Sequence, residues 1–502
     1  MITHEVKVYP SKAMPEKTVQ LAWKIAEVAA DPVPVEEAVA EMVINRIIDN
    51  AAVAVPAINR NPVAAARAQA LAHPRAGGAT LLGIPASQRF EAEWAGWANN
   101  VAVRELDFHD SFMGADYSHP GDNIPALMAV AQQCDCSGAD LVRAIATAYE
   151  IQVDLVKAID LHSHRIDHVA HLGPAVAAGL GTLLKLAPET IYQAVQQATH
   201  LSFSTRQTRK GDISSWKAYA PAQAGKVAVE AVDRAMRGER SPSPIYEGED
   251  SVIAWMLGGP QAVYHVALPT PGEPKRAILE TFTKEHSVAY HCQAMVDLAF
   301  KVRDRIPDLE AIESVTIYTK HHSHRVTGTG SNDPQKMDPN ASRETLYHSI
   351  MFAFAVALQD GRWHHVQSYL PERVGRPDTV RLWHKIRTVE DEEWNRRYDE
   401  PDPLHKAQGG RVEILFNNGE QLTDEILVAN AHPMGAKPFA RSDYINKLET
   451  LSEGIVSTKE IARFVARVQE LPGLSMEQLS GLNIEVDVEA LRNAVRDREG
   501  IF

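Results

Sequence analysis

One segment of the sequence, from Asp107 to Asn123, concentrates side chains that can transfer protons. It holds four aspartates, two histidines, two serines and a tyrosine. Histidine exchanges protons near neutral pH, and a carboxylate such as Asp107 can orient an imidazole and raise its basicity. Gly114 and the His119-Pro120-Gly121 run interrupt the helical patterns on either side, so the sequence predicts a loop, with Asn123 as the N-cap of the next helix. Taken alone, such a segment is better explained as a capped, solvated turn, and the rest of the chain changes that weighting.

Four further polar clusters could contribute to the same chemistry. They cover residues 161–171, 202–218, 283–293 and 320–325. The first contains four histidines, which are His162, His164, His168 and His171. Three imidazoles with an acid can hold zinc, so a metal-dependent hydrolase is one hypothesis. His162 and His164 would point to different faces of a helix, however, and no H-E-x-x-H pattern is present, so we expect no metal.

The second cluster places a lysine, Lys217, among aromatic and small apolar residues. Burial of a lysine is costly unless its ammonium meets an anion. We therefore expect Lys217 to pair with Asp107 or another acid in the resting protein, and with a substrate carboxylate during turnover. Arg206, Arg209 and Lys210 add positive charge nearby, and we predict that Arg206 binds substrate. For Arg209 and Lys210, a solvated basic loop is an equal alternative.

The periodicity of the apolar residues predicts the elements that position these groups. From about residue 18 to residue 259 the chain is alanine-rich with helical spacing, whereas residues 312–319 alternate between apolar and polar as a half-buried strand does. A β-hairpin is predicted over residues 411–428, with its turn at Asn418-Gly419. The predicted helices near the polar clusters span residues 90–99, 124–133, 139–160, 173–186, 188–201, 218–237, 293–306 and 343–359.

These elements predict a mainly α fold with an α+β lid. An all-helical main domain would contain both termini, and a smaller α/β domain would be inserted into it. The proline-rich stretch before residue 274 marks the change in pattern. The predicted divisions are residues 1–273 for the first part of the helical domain, 274–431 for the lid domain and 432–502 for the C-terminal part of the helical domain.

Composition narrows the classes of function. The 502 residues are enough for two or more domains, and the net charge of −14 argues against general nucleic-acid binding. A local basic pocket can still bind an anionic small molecule. Cys134, Cys136 and Cys292 fit neither a disulfide framework nor the usual iron–sulfur spacing. With no secretory leader and no apolar run of about twenty residues, a cytoplasmic location is expected.

Several motifs form one recognisable set, of which the most specific is Ile213-Ser-Ser-Trp-Lys-Ala218. The others are Leu106-Asp-Phe-His-Asp-Ser111, Ser118-His-Pro-Gly121, Ile166-Asp-His-Val169, Phe282-Thr-Lys-Glu-His-Ser-Val-Ala-Tyr-His-Cys-Gln293, Asp338-Pro-Asn-Ala-Ser-Arg343 and His432-Pro-Met-Gly-Ala-Lys-Pro438. Together these motifs resemble the MmgE/PrpD family, most closely its dehydratase branch, over nearly the whole chain. Ser287 departs from the family pattern, because it stands where a proline is expected.

The resemblance implies a site, with most of its residues in the helical domain. The implied catalytic residues are Asp107, His119, His168 and Lys217, and the implied substrate-binding residues are Ser111, Lys284 and His291, of which the last two would reach the site from the lid. It also implies a homodimer with no cofactor and no iron–sulfur cluster.

The implied reaction is the removal of water from 2-methylcitrate to give 2-methyl-cis-aconitate, in the 2-methylcitrate cycle of propionate catabolism. Such a hydro-lyase needs a base, an acid for the departing hydroxyl and cations for the developing charge. Citrate and cis-aconitate are further candidate substrates. A cis-aconitate decarboxylase or isomerase of the same family, and a helical binding protein without catalysis, are the remaining alternatives.

Overall fold

Two hydrophobic cores organise the protein. The computed structural model describes residues 1–211, 213–491 and 500–501, so residue 212 of the second polar cluster and most of the C-terminal end lie outside the described part. The first core takes its buried residues from positions 6–278 and again from positions 444–484. The second takes them from positions 288–429.

Alanine-rich helices form the first core, because small side chains allow close approach of their backbones. These helices are α1 (Leu21–Ala30), α2 (Glu37–Ala57), α3 (Asn61–Leu71), α4 (Ala92–Glu105), α5 (Ile124–Gln133), α6 (Gly138–Ala158), α7 (Leu172–Leu183), α8 (Pro188–Ser202), α9 (Trp216–Met236) and α10 (Val252–Met256). The helix α6 begins at a capping box, in which Ser137 and Asp140 satisfy each other's backbone N–H groups. The helices predicted over residues 124–133 and 188–201 match α5 and α8 to within one residue.

Short strands accompany these helices. They are β1 (Ile2–Lys7), β2 (Pro74–Ala79), β3 (Phe112–Met113), β4 (Tyr117–Ser118) and β5 (Val263–Leu268). β1 pairs with β5 in antiparallel register, with Val6 opposite Tyr264, and buries Val6, Val266 and Leu268. The mainly α fold with a smaller sheet-containing part is confirmed, and this two-stranded sheet is an addition that the sequence analysis did not predict.

A four-stranded sheet backed by helices forms the second core. Its strands are β6 (Ile312–Thr319), β7 (Ile386–Glu390), β8 (Gly410–Phe416) and β9 (Gln421–Ile426), in the order β7-β6-β8-β9. Within this sheet the β6–β7 pair is parallel, and the β6–β8 and β8–β9 pairs are antiparallel. The helices of this part are α11 (Tyr290–Arg303), α12 (His321–Val326), α13 (Arg343–Leu346), α14 (Ile350–Asp360), α15 (Pro371–Val374), α16 (Pro377–His384) and α17 (Glu392–Tyr398). The predicted strand at 312–319 and the hairpin are therefore confirmed.

The chain then returns to the first core as α18 (Arg441–Ser452) and α19 (Thr458–Gln469). Lys447 on α18 donates to the Asp49 carboxylate on α2 at 2.7 Å and to the carbonyls of Phe108 and Lys284 at 2.8 Å. This buried ammonium fixes two segments of the candidate site against the helices. The divisions at residues 1–273, 274–431 and 432–502 stay a prediction.

Asn123 stands at the predicted N-cap position of α5, but its side chain makes no capping hydrogen bond, and its amide donates to Pro120 O and to Gln152 Oε1. One local prediction is wrong. The helix predicted over residues 343–359 is interrupted, because the Ser349 hydroxyl accepts from the N–H of Phe352 and starts α14 as a separate helix. The interruption leaves His348 beside the site described below. In the described part of the chain, no helix combines the length and the apolar character needed to cross a membrane.

Candidate active site

A small cavity lies where the two cores meet. From the first core it is lined by Arg104, Asp107, Met113, Tyr117, His119, Arg206, Arg209 and Lys217. From the second core it is lined by Ala289, Tyr290, His291, Val326, Lys336 and His348. Among these described residues, five side chains are cationic and one is a carboxylate. The local charge is therefore opposite in sign to the net charge of the chain.

Asp107 is the anionic centre of the cavity. It follows α4 directly, and its backbone has the left-handed φ of 49°, which few residues other than glycine adopt. Its carboxylate accepts from Lys217 Nζ and from Lys284 Nζ, both at 2.9 Å, and Arg104 Nη1 lies 3.4 Å away. Burial alone would raise the pKa of Asp107, but these three cations hold it well below its ordinary value. Asp107 therefore stays ionised.

Lys217 projects from the first turn of α9 and is only 3% exposed. Its ammonium donates to Asp107 Oδ2 at 2.9 Å, lies 3.3 Å from His348 Nε2 and sits 4.1 Å from the centre of the Tyr347 ring. The predicted burial of Lys217 and its pairing with Asp107 are confirmed. Burial lowers the pKa of Lys217 well below its ordinary value, while Asp107 opposes that shift. Lys217 is thus able to release a proton more readily than a surface lysine.

His119 presents one ring nitrogen to the cavity. Its Nδ1 lies 2.9 Å from the carbonyl oxygen of Asp110 and 3.0 Å from Ser111 Oγ. A carbonyl only accepts, so this contact places the proton of the neutral ring on Nδ1 and leaves Nε2 as a free base. Burial, Arg104 and Lys284 lower the pKa of His119 well below its ordinary value. The ring is accordingly neutral and ready to accept a proton at neutral pH.

His168 lies one ring behind the cavity wall. Its ring centre is 5.3 Å from that of His119 and 5.2 Å from that of Tyr117. His168 Nδ1 lies 2.8 Å from the carboxylate of Asp167, and its Nε2 is buried with no hydrogen-bond partner in the described part of the chain. Asp167 also accepts from Arg209, which holds its pKa well below the ordinary value even though burial opposes this.

Contacts between distant segments set these positions. Ser111 and Phe282 exchange two backbone hydrogen bonds, of 2.8 and 2.7 Å, which bring Lys284 to Asp107. Lys284 is fully buried and also donates to the Asp107 carbonyl at 2.8 Å. Ser287, at the position where a proline was expected, accepts from Trp363 through Oγ and from Tyr369 through its carbonyl. These bonds fix the segment that leads to His291 on the first turn of α11.

Two family models match most of the chain. Residues 19–265 match the MmgE/PrpD N-terminal domain, and residues 286–471 match the MmgE/PrpD C-terminal domain. The chain belongs to the MmgE/PrpD family. Within this family it is 24% identical over 421 residues to a probable 2-methylcitrate dehydratase of Saccharomyces cerevisiae, over 78% of this chain and 76% of that protein.

Two other relatives have similar names. A mitochondrial 2-methylcitrate dehydratase of Yarrowia lipolytica is 25% identical over 350 residues, which is 66% of this chain and 64% of that protein. A 2-methylcitrate dehydratase of Cupriavidus necator is 25% identical over 380 residues, which is 70% of this chain and 73% of that protein.

The structure places the eight predicted site residues of this MmgE/PrpD member in two shells. Those on the cavity wall are Asp107, His119, Arg206, Lys217 and His291. Those immediately behind it are Ser111 against His119, His168 against Tyr117 and His119, and Lys284 against Asp107. One detail of the sequence analysis is wrong, because Asp107 does not orient a histidine. Its carboxylate oxygens are taken by the two lysine ammonium groups, and His119 Nε2 is 3.8 Å away.

Further residues that bear on the site were not predicted, among them Arg104, Asp167, His348, Lys336 and Tyr117. Asp167 directly precedes His168 in the sequence, and this adjacency could have indicated that the two side chains form a pair. His348 and Lys336 carry no such signal, since they reach the cavity through the packing of the second core.

The metal hypothesis built on residues 162–171 finds no support in the geometry. Among the described residues, the one set of three potential ligand side chains with atoms within 4.8 Å of one another is Glu285, His286 and Asp297. His171 Nε2 lies 3.1 Å from the carbonyl of Ile159 instead, and burial lowers its pKa to about 4.

Proposed function

We propose that the protein is a hydro-lyase that removes water from 2-methylcitrate to give 2-methyl-cis-aconitate. The observation that carries this proposal is the charge of the cavity. Five cationic side chains and one carboxylate line it in the described part of the chain, which suits a compact molecule with three carboxylates. The names of the relatives in the MmgE/PrpD family support the same substrate class.

In the proposed reaction, His119 Nε2 takes the proton from the carbon next to a carboxylate. The electron pair of that C–H bond forms the carbon–carbon double bond, and the neighbouring C–O bond breaks. The ammonium of Lys217 gives a proton to the departing hydroxyl, which leaves as water. His119 ends protonated and Lys217 neutral, and exchange with solvent restores both. The lowered pKa of Lys217 makes its proton easier to release than that of a surface lysine, and the lowered pKa of His119 favours the neutral ring that can accept a proton.

The other residues would position these two. Lys284 and Arg104 keep Asp107 ionised, and Asp107 holds the Lys217 ammonium in place. Ser111 and the Asp110 carbonyl fix the ring of His119. His168, with its proton held on Nδ1 by Asp167, offers its free Nε2 as a second proton acceptor behind His119 and Tyr117. Arg206 and His291 would contact the substrate directly.

The family resemblance also motivates two secondary proposals, a role in the 2-methylcitrate cycle of propionate catabolism and a homodimer without a cofactor. The three free cysteines motivate a third, a reducing, cytoplasmic location. Sedimentation velocity would test the dimer.

The activity is tested by incubating purified protein with 2-methylcitrate, citrate and cis-aconitate. We expect ultraviolet absorbance from an unsaturated acid with 2-methylcitrate and no carbon dioxide. Release of carbon dioxide from cis-aconitate would instead identify a decarboxylase of this family. Activity that is lost with a chelator and restored by zinc would support the metal-dependent hydrolase.

A further inference from the structure

Among the described residues, the cations on the cavity wall that have no close carboxylate partner are Arg206 and Lys336. Lys217, Arg209 and Arg104 each contact an aspartate, at 2.9, 3.2 and 3.4 Å. Arg206 Nε, in contrast, is buried and has no hydrogen-bond partner among the residues that the structure describes. Lys336 is 5% exposed, and its closest carboxylate, that of Asp333, is 3.9 Å away, which is too far for a hydrogen bond.

The two side chains come from opposite cores, and their backbones are fixed. Arg206 begins a short 3₁₀ turn, and its N–H donates to the carbonyl of Arg165 at 2.8 Å. Lys336 lies in a second 3₁₀ turn, residues 334–337, whose start is capped by Asp333. The carbonyl of Lys336 accepts from Ser349 Oγ at 2.8 Å. Because both backbones are anchored, the two side chains extend from fixed points on opposite walls of the cavity.

The positive charges of Arg206 and Lys336 repel each other across the cavity, and a bound anion would offset this repulsion. The positive charge of Arg206 contributes to lowering the pKa of Lys336, although burial is the larger cause. The positive charge of Lys217, by comparison, is already balanced by the Asp107 carboxylate. A third carboxylate of a bound substrate would therefore gain more from Arg206 and Lys336 than from any cation that is already paired.

We propose that Lys336, together with Arg206, forms a subsite that binds one carboxylate of a tricarboxylate and so selects trianions over dianions. The inference rests on the proposed function, because it assumes that the cavity takes tricarboxylates. Because one cation comes from each core, a bound carboxylate would also hold the two cores together over the substrate.

A pair of unreactive ligands tests the subsite. Tricarballylate has three carboxylates and no hydroxyl to eliminate, and glutarate is the same chain without the central carboxylate. Titration calorimetry with both ligands gives an affinity ratio for the wild-type protein, for Lys336→Met and for Arg206→Gln. Lys459→Met is the matched control, because Lys459 is an exposed lysine on α19 that does not line the cavity. Lys336→Arg tests whether a retained charge restores the ratio.

We expect wild-type protein to bind tricarballylate more tightly than glutarate. Lys336→Met and Arg206→Gln should weaken tricarballylate by about tenfold to hundredfold and leave glutarate within about threefold. Lys459→Met should change the affinity for neither ligand. Equal weakening of both ligands, or unchanged tricarballylate binding in a folded Lys336→Met or Arg206→Gln protein, would overturn the subsite.

The failure of the proposed function would look different. Wild-type protein that binds tricarballylate with the expected ratio but does not turn over any tricarboxylate keeps the subsite and removes the hydro-lyase assignment. The wild-type protein could instead dehydrate 2-methylcitrate while Lys336→Met changes neither KM nor tricarballylate binding. That result would support the hydro-lyase assignment and refute the subsite.

Discussion

Replacement of Lys217 by methionine separates a catalytic lysine from a structural one. The substitution keeps most of the side-chain volume and removes the ammonium. It does not leave Asp107 as an uncompensated buried charge, because Lys284 remains at 2.9 Å and Arg104 at 3.4 Å. The loss in stability should therefore be smaller than the roughly 3–5 kcal/mol that follows when a buried ion is left without a partner.

The effect on turnover should be large. Removal of one preorganised donor to a developing charge typically lowers kcat by about a hundredfold to a thousandfold, or roughly 2.7–4 kcal/mol. If Lys217 also holds a substrate carboxylate, KM rises as well. Lys226→Met is the matched control. Lys226 lies on the same helix but does not line the cavity, and its ammonium donates to Glu230 at 2.6 Å. Steady-state kinetics and melting curves of both variants provide the comparison.

The pH dependence of activity tests the role of Lys217 independently. Lys217 must be protonated to act as the acid, so wild-type activity should fall as pH rises through its lowered pKa. His119 must be neutral, so activity should fall as pH decreases through a pKa below 6.5. Lys217→Met should lose the alkaline limb and keep the acidic one. A folded Lys217→Met protein with wild-type kcat, KM and pH profile would refute the role of this lysine.

Three other predictions follow from neighbouring groups. Asp167→Asn should lower kcat by about tenfold or more with little change in KM, because the carboxylate no longer holds the His168 proton on Nδ1; Asp160→Asn is its kinetic control. Exhaustive chelation should leave activity unchanged, and zinc bound in proportion to activity would contradict this. Burial and then the charge of Glu150 raise the pKa of Asp154 well above 3.8. The folded state therefore loses stability as the pH rises from about 3.8 to the raised pKa of Asp154. Asp154→Asn should therefore raise Tm more at about pH 8 than at about pH 5, as calorimetry can show.

The sequence predicted the helical frame well, because its apolar spacing reports burial directly. The strand at residues 312–319 and the helix α5 match their predicted bounds, and Lys217 stands beside Asp107 as its apolar neighbours implied. The break before Ser349 was not predicted, since a serine in an apolar helix pattern gives only a weak signal for a new N-cap.

The remaining differences concern contacts between residues distant in sequence. Lys284 was predicted to bind substrate, but it lies behind Asp107, because the Ser111–Phe282 backbone bonds bring its ammonium to that carboxylate. Lys336 reaches the cavity through the fold of the second core, and nothing in its local sequence indicates this. Pairing of charges across more than a hundred residues depends on tertiary packing, which local patterns do not encode.

The proposed dehydration of a branched tricarboxylate in this cavity is tested most directly with 2-methylcitrate and the purified protein. Ultraviolet absorbance follows the product, carbon dioxide is measured in the same vessel, and Lys217→Met serves as the matched variant. We expect growth of the unsaturated product, no carbon dioxide and a loss of rate of about a hundredfold or more in the variant. No unsaturated product from 2-methylcitrate, or a product formed equally fast by Lys217→Met, would contradict it.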